Sequence, residues 1–266
     1  MNRVRSGDAE IAYEVLGDGP PVIFLHPFPV DHKFWLPALQ TLLARYRVVL
    51  PDLRGHGDSD IGDGPATMER HSADIARVMD DVQIGRAAMV GVSIGGYALF
   101  EFWRRYRGRA AAFVLMDTKA TIDTTEARRA RLQSAAQVLE RGTETFIDGL
   151  LLKLIGETTR RTRPDLVEAA RKMMLRMSPE DISQVQRGMA ERPDSVAMLK
   201  TINVPTLIVT GDEDTVTPVA EAELMRQNIS GSEMKIIAKA GHYAAFEQPE
   251  ESGKMLRQFL DSVHGG

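Results

Sequence analysis

The 266-residue chain contains no cysteine, and this absence excludes several kinds of chemistry at once. No disulfide, thiolate metal ligand or cysteine nucleophile can form without a thiol. A surplus of basic residues is also missing, because 33 Lys and Arg residues stand against 37 Asp and Glu residues, for a net charge of -4. With no cationic excess to neutralise phosphates, the sequence predicts that nucleic acid is not a partner.

Long apolar runs are absent as well. No run approaches the length of a membrane span, and the first eight residues lack the apolar stretch of a secretory signal. We therefore expect a cytoplasmic protein that does not bind membranes. The composition, 43% hydrophobic and 26% charged, is typical of a globular chain with one sizeable core and an inserted subdomain.

Short apolar segments alternate with helical patterns along most of the chain. The alternating segment 11–15 predicts an early edge strand, and apolar runs predict buried strands at 21–25, 47–50, 87–90, 111–117, 205–210 and 234–237. Helical spacing predicts helices at 34–46, around 75–82, at 96–103, near 221–227 and at 249–263. This alternation predicts an α/β fold with a mostly parallel, doubly wound sheet.

Residues 118–200 contain no strand pattern and predict helices at 125–141, 143–154, 164–177 and 179–191. The sequence therefore predicts a core built from 1–117 and 201–266, with a helical cap, 118–200, inserted between two core strands.

The segment Gly91-Val92-Ser93-Ile94-Gly95 follows a predicted strand and precedes a predicted helix. A G-x-S-x-G pattern in this setting places a serine on a sharp turn, with its hydroxyl exposed beside the first N–H groups of the helix. A serine hydroxyl is a weak nucleophile until a base, usually a histidine oriented by a carboxylate, accepts its proton.

Asp214 and His242 each follow the C-terminal end of a later predicted strand. Active sites of open parallel sheets form at that edge, so the sequence predicts a catalytic triad of Ser93, Asp214 and His242. Asp117 also ends a strand and is the alternative acid. Asp212 is predicted to stabilise its own turn through backbone N–H groups.

Four loops carry a resemblance to a known family. They are His26-Pro27-Phe28-Pro29, similar to H-G-x-P; the run from Asp52 to Ser59, which matches D-x-R-G-x-G-x-S; Gly211-Asp212-Glu213-Asp214; and Gly241-His242. The chain resembles the α/β-hydrolase superfamily, in particular its compact bacterial carboxylesterase, enol-lactonase and cofactor-free haloperoxidase group. The resemblance covers nearly the whole chain.

One residue departs from the family pattern. Pro27 stands where the family has glycine, and proline has no N–H to donate. The family's donor is the following residue, so the resemblance implies an oxyanion hole formed by the N–H groups of Phe28 and Ile94.

The triad and the resemblance together predict a serine hydrolase that cleaves small to medium carboxylic esters through an acyl-enzyme, without metal or cofactor. Lactone or enol-lactone hydrolysis, haloperoxidase-like perhydrolysis, and a receptor that binds ligand without turnover are the alternatives. The expected partner is a small-molecule ester or lactone, and monomer and homodimer are both open.

The remaining candidate residues lie mostly in the predicted cap. Trp35, Met173, Met174 and Met177 are predicted to line an apolar substrate pocket. Arginines at 128, 129, 131, 160, 161 and 163 are predicted to be solvated rather than to clamp a carboxylate.

The histidines outside the predicted triad are assigned structural or solvated positions. His26 and His56 are predicted to organise the catalytic loops, and His32, His71 and His264 to be solvated. The spacing of histidines and carboxylates indicates no metal-binding cluster.

Overall fold

The computed structural model describes residues 1–264, whose strands form a single eight-stranded sheet in the order β1-β2-β4-β3-β5-β6-β7-β8. The strands are β1 (Asn2–Ser6), β2 (Ala9–Leu16), β3 (Pro21–Leu25), β4 (Arg47–Pro51), β5 (Ala87–Val92), β6 (Ala110–Met116), β7 (Thr206–Gly211) and β8 (Glu233–Ile237). β2 is antiparallel to β1 and β4, and all other neighbours are parallel. The predicted mostly parallel α/β sheet is confirmed.

The helices are α1 (Met68–Asp81), α2 (Ile94–Tyr106), α3 (Thr125–Leu154), α4 (Glu157–Thr162), α5 (Pro164–Met174), α6 (Pro179–Ala190), α7 (Val196–Leu199), α8 (Val219–Asn228), α9 (Ala244–Glu247) and α10 (Pro249–His264). Within residues 1–264, no helix has the length and apolar character needed to cross a membrane.

The central strands are apolar on both faces, and alternate residues pack into two cores. In β3, Ile23 and Leu25 belong to the core beneath α1 and α2, whereas Val22 and Phe24 belong to the core beneath α10. Parallel strands covered on both faces therefore have near-continuous apolar sequences, and burying one such side chain contributes about 1.5–3 kcal/mol. This double burial explains why the apolar runs predicted these strands well.

The edge of the sheet differs from the prediction. Residues 11–15 were predicted as an edge strand, but β2 lies inside the sheet because β1 pairs along it, with Val4 opposite Ile11. β1 buries only Val4 and Ser6. Its place depends on hydrogen bonding to β2 rather than on its own apolar content, so composition alone did not reveal it.

The predicted helix at 34–46 is also wrong. A 3₁₀ helix runs from His32 to Ala38 and turns continue to Tyr46. Asp31 caps this helix by accepting from the Lys33 N–H at 2.9 Å. Pro37 lies near the end of the 3₁₀ helix, where its missing N–H and its ring oppose a regular α-helix.

Five helices, α3 to α7, occupy the interval between β6 and β7. α3 is interrupted at Gly142, whose φ of 79° favours glycine, in agreement with the separate predicted helices at 125–141 and 143–154. The short helices α4 and α7 were not predicted. We call residues 1–117 and 201–264, which contain all eight strands, the sheet-bearing part. Arg176, between α5 and α6, forms ion pairs with Asp31 and Asp58 of this part.

Candidate active site

Ser93 lies on a sharp turn between β5 and α2. Its φ is 53° and its ψ is -113°, a conformation that costs of order 1–3 kcal/mol for a residue with a side chain. A Cβ on Gly91 would lie 2.6 Å from the Gly95 backbone, and one on Gly95 would lie 2.6 Å from the Leu25 carbonyl oxygen. Only glycine at both positions lets strand and helix approach this closely, which explains the G-x-S-x-G pattern.

Two hydrogen bonds hold this turn from β6 and the loop after it. The Ser93 N–H donates to the Met116 carbonyl at 3.1 Å, and the Thr118 hydroxyl donates to the Ser93 carbonyl at 2.8 Å. The backbone strain at Ser93 is therefore balanced by contacts with the neighbouring strand.

His242 and Asp214 form a buried pair at the ends of β8 and β7. The His242 Nδ1 lies 2.8 Å from the Asp214 Oδ2, and both side chains are almost fully buried. Asp214 also accepts from the N–H groups of Val216 (2.8 Å) and Thr217 (3.0 Å) and from the Thr217 hydroxyl (2.6 Å). These contacts fix the carboxylate and turn the imidazole so that Nδ1 faces the acid.

The surroundings of Asp214 favour its ionised form. Burial by itself would raise the pKa of Asp214. The adjacent His242 and the hydrogen bonds from Thr217 lower this pKa by more, so it lies below its ordinary value. An ionised carboxylate on Nδ1 keeps the proton there and leaves Nε2 as the basic nitrogen.

Asp117, the alternative acid, has a different environment. It follows β6 with a φ of 41°, and its Oδ1 accepts from the Gly211 N–H at 2.8 Å. Its Oδ2 is buried and has no partner among the described residues. Burial, followed by the nearby charge of Asp214, raises the pKa of Asp117 well above its ordinary value. The imidazole thus faces Asp214, whereas burial disfavours the charged form of Asp117.

Two carboxylates join the acid and histidine loops. Asp212, predicted to stabilise its own turn, accepts instead from the Ala240 N–H in the neighbouring loop at 3.4 Å. Glu247, which the sequence analysis missed, accepts from the N–H groups of Gly241 (2.9 Å) and Gly156 (3.0 Å). Burial raises the pKa of Glu247. Glu247 therefore ties the loop that carries His242 to the start of α4, a tertiary role without a local sequence signal.

The predicted oxyanion donors have free N–H groups. Among residues 1–264, no backbone carbonyl accepts from the N–H of Phe28 or Ile94. The Phe28 carbonyl accepts from the Tyr243 hydroxyl at 3.0 Å, which fixes this peptide relative to the histidine loop. Ile94 is the first residue of α2, where unsatisfied N–H groups give the helix terminus a partial positive charge.

His26 and His56 organise the loops around Phe28. The His26 Nδ1 lies 2.9 Å from the Pro27 carbonyl oxygen, and its Nε2 accepts from the Leu53 N–H at 2.9 Å. The His56 Nδ1 lies 3.0 Å from the Arg54 carbonyl oxygen, and its ring packs edge-on against Phe28 at 5.8 Å. These rings connect the Phe28 loop to the turn after β4.

The prediction of solvated histidines is wrong for two of the three. His32 and His71 are buried, and neither ring nitrogen of His71 has a partner among the described residues. His71 lies four residues before Ile75, on the buried stripe of α1, so helical spacing offered a signal for its burial. His264 is half-buried in α10.

Three of the buried histidines, His26, His56 and His71, make the stability of the fold sensitive to acid. Burial lowers the pKa of His26 to about 4 and of His56 to about 3, and it lowers the pKa of His71 well below its ordinary value. The unfolded rings bind protons near pH 6.5, whereas the folded rings stay neutral. The free energy of unfolding therefore falls as pH drops below 6.5, by up to about 1.4 kcal/mol per pH unit for each ring.

Urea denaturation at pH 7, 6 and 5 checks this prediction, with His71→Leu as the variant. We expect the pH dependence of the unfolding free energy to weaken by about 1.4 kcal/mol per pH unit below pH 6.5, because one titrating ring is removed. The stability of the variant at pH 8 serves as its own baseline. An unchanged slope would show that His71 does not contribute to acid sensitivity.

Contrary to the expectation from spacing, the structure brings three potential metal ligands together: Asp31, His32 and Asp52. The carboxylate oxygens of Asp31 and Asp52 already accept hydrogen bonds from protein donors. Asp52 accepts from the His32 N–H (2.8 Å) and the Asp58 N–H (2.9 Å) and lies 2.7 Å from the His32 Nδ1. The Oδ1 of Asp31 accepts from the Lys33 N–H, and its Oδ2 pairs with Arg176. Because the carboxylates are paired in this way, the donor set fits loop fixation rather than a resident metal.

A cavity of about 290 Å³ opens at the break in α3. The predicted pocket residues do not line it: Trp35 and Met174 are fully buried in the core beneath α10, Met173 packs against that core, and Met177 belongs to the other core. The cavity walls come from α3 and α6 and include Val138, Arg141, Phe146, Leu150, Lys153 and Gln186. The faces of α3 and α5 could be assigned only after the helices were packed together.

The arginines predicted to be solvated divide into two groups. Five of the six are exposed as expected: Arg128, Arg129, Arg160, Arg161 and Arg163. Arg131 is only half-exposed, because it pairs with the buried Asp123 at 2.6 Å.

Comparison with known proteins agrees with this architecture. Residues 20–249 match the family model of the alpha/beta hydrolase fold. A thermophilic esterase from Thermogutta terrifontis is 36% identical, with a TM-score of 0.96 over 99% of this chain and 100% of that chain. The 3-oxoadipate enol-lactonase 1 of Acinetobacter baylyi is 25% identical over 92% of this chain and 90% of that protein. The chain belongs to the α/β hydrolase fold family.

Proposed function

We propose that this protein is a serine hydrolase that cleaves carboxylic esters of small to medium size, with Ser93 as the nucleophile. The observation that carries the proposal is the buried 2.8 Å pair between His242 and Asp214, at the sheet edge where the strained turn presents Ser93. A base oriented by a carboxylate, at the same edge of the sheet as a serine on a sharp strand-to-helix turn, is the arrangement that acyl transfer requires. The 36% identical esterase supports the same reaction class.

The reaction proceeds in two half-reactions. The Ser93 Oγ attacks the acyl carbon while the His242 Nε2 accepts its proton, and Asp214 stabilises the resulting imidazolium. The N–H groups of Phe28 and Ile94 donate to the developing oxyanion. Imidazolium then protonates the departing alcohol. His242 next removes a proton from water, the water attacks the acyl-enzyme, and Ser93 regains its proton as the acid leaves.

We also propose that residues 118–200 act as a cap over this site. α3 and α6 supply the walls of the cavity, and Phe146 of α3 packs edge-on against Phe28 at 6.0 Å. The ion pairs of Arg176 with Asp31 and Asp58 hold the cap to the sheet-bearing part. In this arrangement the sheet supplies the reacting groups and the cap selects the acyl group.

Lactone hydrolysis is the second candidate. It uses the same steps, except that the leaving alcohol stays attached to the acyl group. The 3-oxoadipate enol-lactonase that matches 92% of the chain favours it.

A substrate panel tests the proposal. Purified protein is assayed on p-nitrophenyl esters from acetate to octanoate and on five- and six-membered lactones, and kcat/KM is compared. We expect turnover of the short esters and a decline of about tenfold towards octanoate, because the cavity lies at the small end of ligand pockets. A lactone clearly preferred over every ester would replace the esterase proposal with the lactonase. No turnover of any substrate would contradict both.

A further inference from the structure

The cavity at the break in α3 carries two cations and no carboxylate. Arg141 and Lys153 line it, together with neutral side chains. The nearby acids on the same helix, Glu144 and Asp148, face Arg171 of α5 instead, at 2.7 and 2.9 Å. Because Arg171 takes both carboxylates, the positive charges at the cavity are left without an acidic neighbour among its lining residues.

A neutral hydrogen-bond donor lies beside the two cations in the cavity. Gln186 of α6 also lines the cavity, and its Oε1 accepts from the Arg131 guanidinium at 3.2 Å. The Gln186 amide Nε2 is therefore left as a donor. Two cations and an amide donor in one concave site are suited to an anionic ligand group that accepts hydrogen bonds.

One lining residue, Phe146, connects the cavity to the loop that carries Phe28. Phe146 forms part of the cavity wall and contacts the ring of Phe28 at 6.0 Å between centroids. Val138 belongs to the same apolar cluster as Phe28, and Leu150 packs against that cluster. Apolar contacts therefore connect the loop of Phe28, whose N–H is a proposed oxyanion donor, with the cavity that Arg141 and Lys153 line.

We propose that the physiological substrates are anionic: the acyl group of the ester or lactone ends in a carboxylate that Arg141 and Lys153 bind. This inference rests on the proposed function and narrows it to a substrate class. The apolar wall accommodates the methylene segment, and the cations bind the terminal charge, so an acyl group of several carbons with a distal carboxylate fits best. Arg141 and Lys153 are then specificity-determining residues that leave the chemistry of Ser93 unchanged.

A matched pair of substrates tests the inference. Monomethyl glutarate carries a terminal carboxylate, and methyl 5-methylhexanoate replaces that carboxylate with an isopropyl group of the same shape. We expect the protein to prefer the glutarate ester by about tenfold or more in kcat/KM. We expect Arg141→Gln and Lys153→Gln each to reduce this ratio by about tenfold, mainly through a higher KM for the anionic ester.

Arg129→Gln is the matched control, because it removes the same charge from the exposed face of the same helix; the ratio should stay unchanged. Added salt should reduce the preference, since mobile ions screen partly exposed charges. A wild-type protein that hydrolyses both esters equally, or an Arg141→Gln variant that keeps the wild-type ratio, would overturn the inference while leaving the serine hydrolase intact.

A binding experiment separates this inference from the proposed reaction. Calorimetry with glutarate, on the wild-type protein and on Arg141→Gln, requires no turnover. Binding that weakens about tenfold in the variant would support the anion site even if no ester were cleaved. Binding that is absent or identical in both proteins would contradict it, whatever the fate of the ester assay.

Discussion

Ser93→Ala is expected to abolish ester hydrolysis almost completely, with kcat lower by about six orders of magnitude, the loss typical of removing a serine nucleophile. The proposed mechanism has no other acyl acceptor, and the residual rate would come from the oxyanion donors and substrate binding. Covalent labelling by a fluorophosphonate should also disappear, because the reagent phosphonylates only an activated hydroxyl. Labelled protein would be digested, and the added mass located by mass spectrometry on the peptide containing Ser93.

The variant should remain folded. Alanine meets the same backbone strain as serine at a φ of 53°, so its free energy of unfolding should lie within about 1 kcal/mol of the wild type. Ser93→Gly is a useful companion, because glycine adopts this conformation without strain and should be at least as stable as the wild type, yet equally inactive. Hydrolysis at the wild-type rate by either variant would remove Ser93 from the mechanism.

Asp214→Asn is expected to lower kcat by about three to four orders of magnitude. An amide cannot stabilise the imidazolium, and its NH₂ group facing Nδ1 would favour the tautomer whose proton lies on Nε2, where the base must be free. The hydrogen bonds from Val216 and Thr217 to the Oδ1 position would survive, so the loop should keep its shape. Steady-state kinetics with a model ester gives the ratio of kcat in the wild type to kcat in the variant.

Asp117→Asn is the matched control for this experiment. Burial raises the pKa of Asp117 and the imidazole pairs with Asp214 instead, so an amide of the same shape should change kcat by less than about threefold. The Gly211 N–H would still find an acceptor. A large loss in Asp117→Asn with a small loss in Asp214→Asn would move the catalytic acid from the end of β7 to the end of β6.

The sequence revealed those features of the fold and the site that local patterns determine. Parallel strands buried on both faces produce apolar runs, and the turn at Ser93 needs glycine on both sides. The break in α3 at Gly142 was likewise visible, because a positive φ selects glycine.

Features that depend on tertiary packing were not predictable in the same way. β1 gains its place from β2, and Glu247 acquires its role from Gly156 and Gly241, which lie in two different loops. The cavity is a further case. Adjacent methionines point in different directions around a helix, and only the packing of the helices decides which of them face a core. The predicted pocket residues therefore do not line the cavity between α3 and α6.

Under the proposed mechanism, the order of strands in the sheet determines when during folding the protein can become reactive. Ser93 follows β5, Asp214 follows β7, and His242 follows β8, the outermost strand, which pairs only with β7. A partly folded chain can thus form the serine turn while its base is still unplaced. Without its base, the Ser93 hydroxyl is a weak nucleophile towards any ester it meets. Ser93 becomes reactive only when β8 has docked on β7. The rate at which Ser93 gains the ability to be acylated during refolding would therefore report the completion of the whole sheet rather than the folding of its centre.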